Sequence, residues 1–269
     1  MTLFDKRFLI VFMAFLLVHV AVTGQDVEII KPILLDRSVL SGLGLKKIEI
    51  KNEPEKDFYQ KRLYRGDDLS VYVVSTETWI NEMDNFPFDE FVHMYHGEAV
   101  VTPEQGSAQL FYSGDSFFAP RGFTGNWEIR AGDYLHYELS VIASQRADPE
   151  NVSQNGRHLL FDRSTLSGAH IKLDKQGRYS ELLHAGVELT FRLEAESPQE
   201  VKIVKSNKER KIQVLSGLLT LTDLSGDSVI GNSGDFIMVP AGFTGTWKSE
   251  GHSIIKYLSI ERTHSDTDD

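Results

Sequence analysis

The chain repeats itself at long range. GDSFFAPRGFTGNW (Gly114 to Trp127) returns 120 residues later as GDFIMVPAGFTGTW (Gly234 to Trp247). The same spacing pairs Tyr59 with Tyr179, Gly66 with Gly186, Gly97 with Gly217 and Tyr137 with Tyr257. Upstream, LLDRSVLSG (Leu34 to Gly42) matches LFDRSTLSG (Leu160 to Gly168) at a spacing of 126, so the first copy carries six extra residues in a loop near Asn52, Glu53 and Pro54. Copies of about 110 residues are domain-sized, whereas solenoid repeats run roughly 20 to 50. The spacing therefore predicts two tandem domains, 25–147 and 148–262, joined through the polar stretch Ala147 to Gly156 and followed by an acidic tail, 263–269.

Within each copy the pattern is strand. Leu69 to Val73, Phe91 to Tyr95, Ala99 to Thr102, Gln109 to Tyr112 and Tyr134 to Val141 are short Val-, Tyr-, Phe- and Leu-rich runs between Gly, Asp, Pro and Asn. Such runs at close intervals mark an all-β sandwich or barrel, and no stretch sustains helical periodicity. Ahead of the first domain, Phe8 to Val18 is unbroken apolar sequence preceded by Lys6 and Arg7 and followed by small residues up to Gly24. That is the order of a secretory signal peptide, 1–24. A membrane span needs roughly 20 apolar residues, so stable insertion is not expected after cleavage. With no cysteine, the chain excludes disulfides, thiolate metal sites and a cysteine nucleophile, and export without disulfides suits a periplasm or a secreted location. A net charge of −11 argues against nucleic acid, which demands clustered Lys and Arg.

Glu90 followed six residues on by Gly97 (EFVHMYHG), then Gly114-Asp115 and Pro120-Arg121-Gly122, resembles the two motifs of a cupin. PRGFTGNW and PAGFTGTW, with DEFVHMYHGE ahead of the first, are similar in particular to the (S)-ureidoglycine aminohydrolase-type family. The resemblance spans both halves and implies a bicupin: two double-stranded β-helix (jelly-roll) barrels, each with a cavity. In that family it also implies a manganese site and hydrolysis of a small nitrogen-rich metabolite. The ligand positions depart from the pattern. The two histidine slots before the glutamate fall within Asn85 to Phe88, and the third is Gly125 in the first copy and Gly245 in the second. Glu90 survives, but its counterpart is Arg210. One carboxylate does not hold a divalent ion that wants three or more protein ligands, so no cofactor is expected, the alternative being manganese in a rearranged site that draws on a histidine such as His136.

Strand alternation places Glu90, Val92 and Met94 on the barrel-interior face and Phe91, His93 and Tyr95 on the other. His93 and His96 are then expected to be structural. His136 sits opposite Lys256 at the common spacing, and alternation leaves its face open. The expected pocket comprises Glu90, Trp79, Phe88, Arg121, His136 and Arg210, with Glu90 as the catalytic candidate. In an apolar barrel its pKa would rise, suiting it to proton transfer or to holding a polar ligand, unless it simply partners Arg121. Trp79, Phe86, Phe88, Phe123 and Trp127 are the aromatic lining candidates, most of them expected in the core because Phe123 and Trp127 recur as Phe243 and Trp247 with no matching Glu. Arg210 needs a counter-charge, an exit to the rim, or an anionic ligand. Three readings follow: a binding or interaction module for a small polar or acidic metabolite with degenerate metal sites; an aminohydrolase-like enzyme using Glu90 as acid/base; and, compatible with either, a homodimer paired through sheet faces and edge strands.

Overall fold

Residues 29–51, 53–148, 150 and 156–263 are described by the computed structural model. The apolar leader, the boundary after Gly24, Asn52 of the inserted loop, most of the polar joint and the acidic tail beyond Thr263 lie outside them. The β-rich runs form four antiparallel sheets. In the first half, a large sheet contains Phe58–Arg65, Leu69–Thr76, His136–Ala143, Glu90–His96 and Ser116–Ala119, and a smaller one contains Trp79–Met83, Gly125–Arg130, Glu98–Pro103 and Gln109–Tyr112. The second half repeats that order with Arg178–Ala185, Leu189–Glu196, Ile255–Arg262, Arg210–Ser216 and Phe236–Val239, against Gln199–Ile203, Gly245–Glu250, Leu218–Asp223 and Ser228–Asn232. No helix among the described residues is long and apolar enough to cross a membrane.

Each half encloses its own core. Val92, Met94, Phe117, Phe123 and Trp127 pack inside the first barrel, and Ile212, Val214, Ile237, Phe243 and Trp247 inside the second. A third core joins the large sheets back to back, with Phe91, Phe118, Leu139 and Val141 meeting Phe191, Phe236, Leu258 and Ile260. This explains why Glu90–His96 reads apolar on both faces: Val92 and Met94 fill the barrel, while Phe91 is fully buried on the outer face against the other half.

The seam is reciprocal. Ile33–Leu34 hydrogen bonds to Phe236–Val239 in the second sheet, and Leu159–Leu160 to Ser116–Ala119 in the first. Two short helices follow these strands, Arg37–Leu40 and Arg163–Ser167, capped by Asp36 and Asp162. At four and five residues they are too short to show periodicity; the DRS tripeptide with its capping Asp was their signal. From them Arg37 reaches Asp235 at 2.6 Å, and Arg163 reaches Asp115 at 3.2 Å. Asp89 accepts from the backbone N–H groups of Glu188 and Leu189, at 2.6 and 3.3 Å, and Glu209 accepts from that of Leu69 at 2.7 Å. Each carboxylate packs where a Cβ on Gly186 or Gly66 would sit, which accounts for that matched glycine pair.

One sequence pairing is corrected by register. Leu139 lies opposite His93 and Leu258 opposite Gln213, so the last strands correspond at a spacing of 119. The connection after Glu250 is one residue shorter than that after Arg130. Tyr257 therefore answers to Glu138, not to Tyr137, and His136 answers to Ile255, not to Lys256.

Candidate functional site

Along His136–Ala143 the alternate residues His136, Glu138, Ser140 and Ile142 face the first barrel's cavity, joined by Glu90 from the neighbouring strand. Trp79 and Asn81 enter from Trp79–Met83, and Trp127 and Ile129 from Gly125–Arg130. The cavity measures about 380 Å³, within the range of roughly 300–1,000 Å³ usual for small-molecule sites. Aromatic rings form much of its wall. Phe58 and Trp79 meet edge to face, with centroids 6.5 Å apart and planes at 78°, and Phe86 and Phe88 do so at 4.6 Å and 60°.

The polar end of the cavity is a carboxylate cluster. Ser140 Oγ donates to Glu90 Oε1 in a short hydrogen bond, and His136 Nε2 lies 2.8 Å from Glu138 Oε2. His136 is fully buried, and its Nδ1 has no partner among the described residues. Burial first, and then the negative charge of Glu138, push the Glu90 carboxyl up to about 8; the Ser140 hydroxyl opposes the shift. Neutral pH therefore leaves a protonated Glu90 beside a second carboxyl group. Among the described residues no lysine or arginine lines this cavity.

The second barrel keeps a cavity of about 690 Å³, built differently. Arg210 stands where the first half has Glu90, and its counter-charges come from Glu194, through a short contact, and from Glu261 at 3.1 Å. It also donates to Ser259 Oγ. Trp247 Nε1 donates to Glu196 at 2.6 Å. Lys172, Arg178 and Arg210 face this space along with Asp174, Glu194 and Glu196, so its charges balance.

Of the residues expected from sequence, Glu90, Trp79, Phe88 and His136 line one cavity together with Phe86 and Trp127. Arg121 does not. Its guanidinium pairs with Glu188 at 2.6 Å, buried in the seam between the halves, so it partners neither Glu90 nor a ligand there. Arg210 belongs to the second cavity, and Phe123 is core. Glu138 and Ser140 were missed. At the constant spacing Glu138 fell opposite Leu258, and the usable signal was the alternation His136, Glu138, Ser140, Ile142. His93 points away from Glu90, bonding Ser116 Oγ at 2.8 Å and packing on Phe236, and burial lowers its pKa to about 3.

The donor set does not fit the metal that the resemblance implies. Among the described residues no three His, Asp or Glu side chains converge to hold an ion. At Gly125 a Cβ would overlap the Thr102 carbonyl oxygen and come within 2.8 Å of Pro103 Cα, so a histidine has no room there. Gly245 is closed in the same way by Thr222.

Residues 81–137, which carry Glu90, Trp127 and His136, match the EutQ-like cupin domain model. No curated sequence relative matches the chain. A cupin 2 conserved barrel domain protein from Leptotrichia buccalis is 14% identical, with a TM-score of 0.56 over 88% of this chain and 99% of that one. A Pseudomonas syringae protein of unknown function is 15% identical, with a TM-score of 0.58 over 86% and 99%. Salicylate 1,2-dioxygenase from Pseudaminobacter salicylatoxidans is 10% identical, with a TM-score of 0.61 over 86% and 84%. The chain contains a cupin domain in an all-β fold of the cupin type. At these identities the structural likeness concerns the fold alone.

Proposed function

We propose that the chain is a tandem cupin of the cell envelope or exterior, arisen by duplication, whose first barrel binds a small polar ligand without a metal. One observation carries the reading: a carboxyl pair, Glu90 and Glu138, faces an aromatic-walled cavity that no lysine or arginine lines among the described residues. Glu90 and Glu138 are each held by a single side chain, Ser140 and His136; buried carboxyls with few partners are costly, and a ligand that adds hydrogen bonds or charge to them recovers part of that energy. The second barrel has spent its equivalent position on the ion pair of Arg210 with Glu194 and Glu261. Metal analysis of the purified chain together with a thermal-shift screen of polar metabolites tests the proposal. Ligand-dependent stabilisation of a metal-free protein, weakened in Glu90→Gln, is expected; stoichiometric manganese, zinc or iron would overturn it.

A second reading has its own support. A Glu90 that keeps its proton to about 8 is an acid at neutral pH, and the adjoining Glu138 and His136 pair can take up or pass a proton. These groups suit metal-free hydrolysis of a small nitrogen-rich metabolite of the ureidoglycine type. Ammonia release from ureidoglycine that disappears in Glu90→Gln would favour this reading over simple binding.

A further inference from the structure

The two cavities differ in the charge of their linings. Among the described residues the titratable groups lining the first are Glu90, Glu138, His136 and Tyr72, and neither lysine nor arginine joins them. An anionic ligand would meet two carboxyl groups whose one basic neighbour in the lining is His136, already paired with Glu138 at 2.8 Å, whereas the second cavity, with three basic and three acidic lining residues, carries no such bias. The aromatic walls act in the same sense. A cation above a Trp or Phe face is attracted by the ring quadrupole, the more so as water is excluded. The Phe58 and Trp79 rings, at 78° to each other, both belong to this wall.

We propose that the ligand of this cavity is a small organic monocation, an ammonium or amidinium head on a compact apolar body, seated between the Glu90 and Glu138 carboxyls and the aromatic wall. The proposal rests on the small-ligand reading above and narrows it. Binding carries a proton signature. Because the empty cavity holds Glu90 protonated at pH 7, a cation placed against it favours the carboxylate, and up to one proton leaves as the ligand enters.

Calorimetric titration of the full chain at pH 7 with benzylammonium, phenyltrimethylammonium and guanidinium tests this, with benzyl alcohol and benzoate as neutral and anionic counterparts. At least one cation is expected to bind one-to-one, at least tenfold tighter than benzyl alcohol or benzoate. Its heat should depend on the ionisation enthalpy of the buffer, reporting proton release from the unmodified protein. Glu138→Gln should weaken it at least tenfold, and Glu90→Gln should abolish the buffer dependence. Trp79→Leu, which leaves both carboxyls in place, should weaken it severalfold. Benzoate or benzyl alcohol binding as tightly as the cations, with the same sensitivity to Trp79→Leu, overturns the charge assignment while leaving the small-ligand reading intact. Cation binding indifferent to all three substitutions overturns the site. Failure of all five probes overturns the cation and removes support from the parent reading.

Discussion

Glu90→Gln is the substitution whose energetics the structure lets one work through. Folded Glu90 keeps its proton to about 8 against an ordinary 4.5. Between those values the folded chain holds a proton that the unfolded chain has released. Stability therefore falls as pH rises, by about 1.4 kcal/mol per pH unit at full effect. The contribution is complete below 4.5 and is lost as pH passes the folded value; across the whole span the difference is up to about 5 kcal/mol. Glutamine reproduces the protonated shape, and its carbonyl still accepts from Ser140 Oγ. The variant should match the wild type near the lower end and overtake it steadily toward pH 8. Urea unfolding at half-unit steps from pH 5 to 9, followed by tryptophan fluorescence, gives the difference, since titrating groups remote from Glu90 cancel between the two proteins and the remainder belongs to Glu90 and its neighbour Glu138. A difference that stays flat over this range would refute the claim that Glu90 is held protonated by burial and by Glu138.

Lys211 is fully buried without a hydrogen-bond partner among the described residues, its Nζ 4.1 Å from the Phe91 centroid and 4.2 Å from that of Phe236. Burial holds its pKa well below 10.5, so folding penalises the charged amine; Lys211→Met should raise the urea midpoint at pH 7, and the gain should shrink as pH rises toward 10.5, where the unfolded amine also loses its proton. Arg210→Ala strips Glu194 and Glu261 of their shared cation and should destabilise the chain by about 3 kcal/mol, read as a lowered melting temperature. Gly125→Ala sets a Cβ against the Thr102 carbonyl and should cost about 2 kcal/mol or more; unchanged thermal stability would mean that the position does have room for a side chain.

Sequence periodicity reached the barrels but not the seam. Alternation from Glu90 to Tyr95 correctly separated the interior residues Val92 and Met94 from His93, because a pleated strand has only two faces and one of them was uniformly apolar. The same logic applied to His136–Ala143 would have found Glu138 and Ser140. It failed there because similarity between repeats was followed at one rigid spacing, and a single-residue difference in a connection exchanges one face of a strand for the other. Arg121 follows Pro120 close to Glu90 in the motif, which suggested a pocket residue; its partner Glu188 lies in the other half and leaves no local trace. Lys211 in RKIQV reads as a solvated position, and only the docking of the two large sheets buries it.

The crossed terminal strands bear on how the chain is made. Ile33–Leu34 emerges from the ribosome early, but the edge it completes, Phe236–Val239, follows about 200 residues later, a wait of roughly 10–40 seconds at ordinary synthesis rates. Meanwhile the apolar edge Ser116–Ala119 stays bare until Leu159–Leu160 appears, and bare edges invite pairing with strangers. Translation speed and holding factors thus become determinants of yield, and a pause between the two halves would extend the interval in which the nascent chain is vulnerable.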